Sequence, residues 1–130
     1  MQPMEVLKDE QASHREMAII ERFGVFVDYT YPVAINIRRT HHVVRDMLIA
    51  SMFEQANLFA QAGKSGQVSR LYAADAGLSH LRFQLRFLAD EKRKLISRHQ
   101  HEVASVHLAE VGKMLGVWIK SKTAAKGERG

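Results

Sequence analysis

The sequence predicts an all-α fold, an up-down-up-down antiparallel four-helix bundle. Four segments carry apolar residues at the three- and four-residue steps of a helix, and the breaks between them are short. The 130 residues suit one domain, and two prolines and eight glycines are too few for a fold with many strands and turns. Short connections make successive helices antiparallel neighbours.

The first helix is predicted over about residues 13–38, after a flexible N-terminus at residues 1–12. Ser13 with Glu16 forms a capping-box pattern at its start, and Pro32 should kink it. The β-branched and aromatic residues from Phe23 to Ile37 also suit a strand, but nothing else in the chain could pair with one. The residues at helical spacing are Met17, Ile20, Phe23, Val27 and Ala34.

The second helix is predicted over about residues 41–62, with Thr40 as its N-cap. Its apolar face is marked by Val44, Leu48, Met52, Gln55 and Phe59. The clearest break in the chain follows at residues 63–66, where Gly63 suits a left-handed helix cap.

The third and fourth helices are predicted over about residues 67–92 and 98–122, before a flexible basic tail at residues 123–130. The third has an unbroken seven-residue repeat, which favours shallow bundle packing. Its members are Leu71, Ala74, Leu78, Leu81, Leu85 and Leu88. Ser97 and Gln100 form a capping box for the fourth helix. Its buried stripe is predicted at Leu108, Val111, Leu115 and Trp118.

Charge is unevenly distributed along the chain. Residues 1–37 have a balance of −3, and residues 38–130 have a balance of +8, for a net charge of +5. The surplus favours a polyanionic partner, either nucleic acid or an acidic membrane surface, although it could simply aid solubility. The absence of cysteine suits a reducing cytoplasm, and the polar, acidic start does not resemble a signal peptide. No apolar run is long enough to span a bilayer, so we expect a cytoplasmic protein with no membrane partner.

Three arginines of the third helix are candidates for binding phosphate. Arg82 and Arg86 are four residues apart, and Arg93 follows about three turns after Arg82, so all three are expected on one side. The planar guanidinium group binds phosphate oxygens in a bidentate manner and keeps its charge. Alternatively, this side is a solvated face with internal salt bridges to Asp75, Asp90 or Glu91.

Two further basic clusters are expected at one end of the bundle, because the first and third connections of an antiparallel bundle lie together. Such an end would bind a polyanion better than either cluster alone, unless it reflects ordinary loop polarity. One cluster holds Arg38, Arg39, His41, His42 and Arg45, and the other holds Lys92, Arg93, Lys94 and Arg98. Lys64 and Arg70, around the second connection, complete the predicted nucleic-acid-binding set.

An oligomer interface is predicted at apolar residues that fall off the inward stripes. Phe83 and Phe87 point away from the leucine seam, and Ile49 and Phe53 lie off the stripe of the second helix. Large apolar side chains are costly to leave in water. A subunit contact therefore explains them better than stacking on bases, which is the alternative.

No motif indicates catalysis or a cofactor. The seven histidines include no Glu-x-x-His pair of the di-iron bundle type, and neighbouring histidines diverge on a helix. No phosphate-binding loop or nucleophile elbow is present. We therefore expect a non-enzymatic protein with no metal and no cofactor.

A long central motif covers residues 62–78, AGKSGQVSRLYAADAGL, and residues 81–88, LRFQLRFL. This motif resembles the accessory variability determinant proteins of diversity-generating retroelements. Shorter matches are Glu21-Arg22 and Tyr31-Pro32 in the first helix, and the stretch from Ala109 to Ile119 in the fourth. The connection at residues 90–100 departs from the pattern. The family is similar in fold to the four-helix-bundle proteins encoded within ribosomal RNA intervening sequences.

This resemblance implies a four-helix bundle that assembles as a homopentameric barrel. It also implies a basic surface that binds RNA or DNA, with a reverse transcriptase as partner, in mutagenic retrohoming. The arginines of the family's third helix correspond to Arg82 and Arg86. A protein-only scaffold or a ribosomal-RNA-associated bundle protein remains the alternative.

Overall fold

The computed structural model describes the backbone of residues 3–129 and the side chains of residues 14–124. Four helices account for most of these residues, with a short 3-10 helix at Arg39–His41. The predicted all-α fold is confirmed, since the described residues contain no strand. The helices are α1 (Pro3–Ile35), α2 (His42–Ser65), α3 (Val68–Ala89) and α4 (Arg98–Arg129). No helix of the described part has the length and apolarity of a membrane span.

The four helices form a square, antiparallel bundle. Each helix packs on its neighbours in sequence, and α1 also packs on α4, whereas the two diagonal pairs make no close approach in the described part. Near its start α1 meets the end of α2, where Glu16 lies beside Gly63. Further along, the rings of Phe23 and Phe59 pack edge to face with centroids 5.7 Å apart. The predicted up-down-up-down order is therefore observed.

The seven-residue repeat of α3 is confirmed along its whole length. All six of its members are buried, and none exposes more than 1% of its surface. Each fully buried leucine contributes about 1.5–3 kcal/mol relative to an exposed one. The predicted stripe of α4 is also buried throughout, and on α2 four of the five predicted residues are buried while Val44 is half-buried.

The predicted inward face of α1 is partly wrong. Met17 is 64% exposed, and Ile20 and Val27 are only half-buried. The buried face includes two polar residues, Glu16 and Thr30, which an apolar pattern does not reveal. Its members are Glu16, Ile19, Phe23, Phe26, Thr30, Ala34 and Ile37.

The ends of α1 differ from the predicted ones. The helix begins at Pro3 instead of about residue 13, because residues 3–12 are mostly good helix formers and proline is favourable in the first turn. It ends at Ile35, about one turn after Pro32. The chain then tightens, with the amide of Ile37 donating to the carbonyl of Ala34 at 3.0 Å.

The structure corrects some of the predicted ends of the other helices and confirms one predicted cap. Residue Thr40 lies in the 3-10 helix, and His41 is the N-cap of α2. The left-handed cap of α2 is Gly66, with φ of 66°, instead of Gly63. α3 ends at Ala89, three residues early, and α4 continues to Arg129 instead of ending at about residue 122. The capping box at the start of α4 is confirmed, with reciprocal bonds of 2.9 and 3.0 Å between Ser97 and Gln100.

Close approach of α2 and α3 depends on Gly77. The buried side chain of Gln55 donates from Nε2 to the carbonyl of Ala74 at 2.9 Å, and its amide oxygen occupies the space where a Cβ on Gly77 would be. The same Cβ would lie 2.9 Å from the Cδ1 atom of Leu58. Glycine at this position therefore leaves room for the buried hydrogen bond between the two helices.

Replacing Gly77 with alanine should lower the free energy of unfolding by about 1–3 kcal/mol through overpacking, although alanine is the better helix former. Gly116→Ala is the matched control, because nothing lies within 4 Å of its added Cβ. That variant should be stabilised by about 0.5–1 kcal/mol. Denaturant unfolding of both variants measures the difference, and equal stabilisation would contradict the packing role of Gly77.

Candidate functional site

Two arginines of α3 lie side by side on the edge of the helix that faces α4. Arg82 and Arg86 are both exposed, and neither forms an ion pair within the part of the chain that the structure describes. Of the alternative salt bridges to Asp75, Asp90 or Glu91, the described residues form one, between Arg93 and Asp90 at 3.8 Å, and none involves Arg82 or Arg86. The positive charges of Arg82 and Arg86 are therefore available to an external anion.

The guanidinium of Arg82 lies across α4 at Gly112. A Cβ added to Gly112 would come within 2.7 Å of the Nη2 atom of Arg82. Glycine thus lets the arginine rest close to the α4 backbone, where its long side chain keeps fewer rotamers. Gly112 and Arg82 lie on different helices, so no local sequence pattern could predict this contact.

Arg93 does not extend the row of Arg82 and Arg86 along one rigid helix. Helix α3 ends at Ala89, so Arg93 belongs to the connection and not to the helix. Its guanidinium stacks 3.7 Å from the centroid of the Phe87 ring and donates from Nη1 to the Phe87 carbonyl at 3.3 Å. The prediction of three arginines on one side of α3 is therefore wrong for Arg93.

The first and third connections lie at the same end of the bundle, as predicted from the antiparallel order. The third is folded back on α3, with the amides of Leu95 and Ile96 both donating to the carbonyl of Leu88 at 2.9 and 3.2 Å. This geometry holds Lys94 at a positive φ of 50°. Three cations of this end are paired with acids, since Arg93 pairs with Asp90, Arg45 bonds to Asp46 at 3.0 Å and Arg98 pairs with Glu102 at 3.3 Å.

Four cations of the connection end form no ion pair in the described residues. They are Arg38, Arg39, Lys92 and Lys94. All four are exposed, so this end carries positive charge that the chain itself does not neutralise. His41 and His42 add charge there only when they are protonated.

Lys64 and Arg70 lie apart from the other predicted basic residues, at the opposite end of the bundle. Lys64 is 3.9 Å from the buried carboxylate of Glu16, and Arg70 donates to Oε1 of Gln61 at 2.9 Å. The structure therefore does not bring these two residues into one surface with the connection end.

An apolar groove separates α2 from α3 on the other edge of α3. It holds a volume of about 150 Å³, and the half-exposed side chains of Met47 and Phe83 form its rim. The guanidinium of Arg86 lies 5.9 Å from the Phe83 ring centroid. We refer to this feature as the α2–α3 groove. Its lining residues are Val44, Met47, His80, Phe83, Gln84, Phe87 and Leu88.

The four predicted interface residues divide between two surfaces. Phe83 is exposed in the α2–α3 groove, and Phe87 is half-buried there. Ile49 packs against the core, and Phe53 is 60% exposed on the side of α2 that leads toward α1. Helical register separates Ile49 and Phe53 from the groove residues Val44 and Met47 on the same helix.

A family model described as bAvd-like matches residues 17–122. This chain belongs to the bAvd-like family. The match covers most of the chain, including all of α2 and α3, and it confirms the resemblance to accessory variability determinant proteins. No curated protein matches the chain.

The matched segment also contains a polar contact that the sequence did not reveal. Both terminal nitrogens of Arg22 lie 3.3 Å from Nδ1 of His107 and link α1 to α4. Because arginine only donates, Nδ1 of His107 is the acceptor in this contact. Arg22 and His107 are 85 positions apart, so no local pattern could connect them.

Metal binding has no support in the described residues, which contain no group of three or more histidine, aspartate or glutamate side chains able to hold an ion. Glu16 is the only acidic residue among the buried ones of that region, and Lys64 accompanies it. The family membership and the cationic edge of α3 are therefore the features from which a function can be argued.

Proposed function

We propose that this protein is a non-enzymatic accessory that binds nucleic acid and associates with the reverse transcriptase of a diversity-generating retroelement. In that role it supports mutagenic retrohoming, in which an RNA template is copied with errors into a variable gene. The observation that carries the proposal is that Arg82 and Arg86 are exposed and have no ion-pair partner among the described residues, on a helix whose rotation is fixed by its buried seam. Membership of the bAvd-like family adds the biological setting.

Phosphate groups are the proposed ligands of Arg82 and Arg86. Arg82 and Arg86 stand about one helical turn apart on α3, and each guanidinium can bond two phosphate oxygens. Neither belongs to a helix-turn-helix or other base-reading motif, so the contacts position a backbone and do not read its sequence. Charge neutralisation and counterion release then supply most of the affinity.

The cations of the connection end would extend this surface. Arg38, Arg39, Lys92 and Lys94 are exposed and have no carboxylate partner among the described residues. Arg45 and Arg93 contribute less to the proposal, because each already bonds to a neighbouring aspartate. Lys64 and Arg70 stand at the far end and are not needed for it.

Self-assembly is part of the same proposal. The resemblance implies a homopentamer, and the exposed apolar side chains on several sides of the bundle favour a subunit contact. Phe53 and Phe83 expose more than half of their surface, whereas Ile49 and Phe87 are covered in part by their own chain. We therefore propose Phe53 and Phe83 as the main interface aromatics, with Ile49 and Phe87 beneath them.

Replacing Arg82 and Arg86 with glutamate should weaken nucleic-acid binding on the order of a hundredfold, because two phosphate contacts become repulsive. The slope of log affinity against log salt should also fall by about 0.7–0.9 per lost contact. Filter binding of single- and double-stranded RNA and DNA at several salt concentrations measures both quantities. Circular dichroism should report unchanged helix content, since both side chains are exposed.

The matched control reverses two exposed lysines on α4, in Lys113→Glu with Lys120→Glu, which changes the net charge equally. It should weaken binding far less, and an equal loss would show that only net charge matters. If the unaltered chain binds no nucleic acid but still captures the reverse transcriptase, the protein is a protein-only scaffold.

Gly112→Ala should weaken nucleic-acid binding about three- to tenfold without lowering stability. The added Cβ displaces the Arg82 guanidinium from α4, and the flexible side chain can move at little cost to packing. Gly116→Ala adds the same methyl group one turn later, where nothing lies within 4 Å, and should leave affinity unchanged. Equal affinities for Gly112→Ala and the unaltered chain would contradict a role for Gly112 in positioning Arg82.

A further inference from the structure

The outer face of α1 combines apolar and acidic side chains that nothing in the described part of the chain covers. Val25 and Ile35 are 44% and 48% exposed, and Glu21 and Asp28 are exposed beside them. Steps of four, three and seven residues place all four on one side of the helix. We refer to these four residues as the α1 outer face.

The two acids of the α1 outer face are not neutralised locally. Neither Glu21 nor Asp28 forms an ion pair within the described residues. No lysine or arginine stands three or four positions from either, so their own helix supplies no partner. The nearest arginine in sequence, Arg22, is directed to His107 on α4.

The α2–α3 groove has a matching apolar character, with two arginines beside its aromatic wall. Phe83 and Met47 offer exposed apolar surface, and the space of about 150 Å³ between the helices resembles in size an apolar cavity that holds benzene. Arg86 lies over the ring of Phe83 and Arg93 over that of Phe87, so guanidinium groups flank the apolar wall. An occupant with one apolar side chain and nearby carboxylates would fit this groove.

We propose that the α1 outer face of one copy docks in the α2–α3 groove of a second copy. Val25 or Ile35 would fill the groove, and the acids of α1 would meet Arg93 and His80 beside it. A second copy is the favoured occupant because this chain itself carries the complementary surface, with residues 1–37 at −3 and the rest at +8. The inference rests on the proposed self-assembly and adds which surfaces meet.

The two surfaces lie on different sides of one bundle, because α1 packs on α2 and α4 but not on α3 in the described part. Each copy therefore contributes its α1 outer face to one neighbour and its α2–α3 groove to another. A contact between two different surfaces is heterologous. Heterologous contacts close into rings when the rotation between copies permits. Arg82, on the edge of α3 that faces α4, is left outside the contact.

Reciprocal charge reversal tests the proposal. An α1 variant carries Glu21→Lys with Asp28→Lys, and a groove variant carries His80→Glu with Arg93→Glu; Arg82 and Arg86 stay unchanged in both. Each variant should run as a monomer of about 14.8 kDa in size exclusion with light scattering, because like charges then face each other. The chain with all four changes should assemble again, because lysines then meet glutamates.

The control chain carries Asp75→Lys with Glu102→Lys, an equal change of charge at exposed positions on α3 and α4. It should assemble as the unaltered chain does. Circular dichroism of every chain checks that the helices persist. The four-change chain guards against misfolding, since a chain that failed to fold would not regain assembly through two further changes.

Each outcome decides a different claim. A monomeric unaltered chain would overturn self-assembly and this inference together. An assembled α1 variant would overturn the inference alone and leave self-assembly standing. Monomeric single-surface variants whose combination stays monomeric would also overturn the pairing, whereas restored assembly in the combination would establish it.

Discussion

Six side chains of α3 are buried at alternating steps of three and four residues, and this row sets the rotation of the helix about its axis. With that row turned inward, the remaining positions of α3 fall on two edges. One edge faces α4 and carries Arg82 and Arg86, and the other borders α2 and carries Phe83 and Phe87. Rotating α3 to bring either arginine inward would expose leucines worth about 1.5–3 kcal/mol each. The buried row therefore directs a cationic edge toward α4 and an apolar edge toward α2 on a single helix.

Much of the fold could be predicted because its main signals are local and repetitive. The leucines of α3 repeat without interruption, and the capping box of α4 needs only residues three apart. The prediction for α1 failed where the buried face contains Glu16 and Thr30, because polar residues break an apolar pattern. The helix ends were less predictable, because Gly63 and Gly66 both suit a left-handed cap in the sequence. In the structure Gly66 is the cap, whereas Gly63 lies within the helix and leaves room for Glu16 of α1.

The candidate site was predictable only where one helix builds it. Arg82 and Arg86 share an edge by spacing alone, and the structure leaves them unpaired among its described residues. The sequence could not predict contacts between helices. Examples are the contact of Gly112 with Arg82 and the groove in which Met47 lies beside Phe83. The position of Arg93 was predicted wrongly, because α3 ends at Ala89 and the Arg93 side chain then stacks on the ring of Phe87. For the contacts between helices, the missing information was the register between neighbouring helices.

Photo-cross-linking along α3 measures most directly whether its two edges have different partners. A photoreactive side chain would be placed at one of four exposed positions. The first pair, Tyr72 and Ser79, precedes Arg86 by fourteen and seven residues and shares its side of the helix. The second pair, Ala73 and His80, precedes Phe87 by the same steps. The account predicts cross-links to nucleic acid from the first pair and to a second copy of the chain from the second pair. Nucleic-acid cross-links of equal yield from both pairs would contradict the separation of the two surfaces.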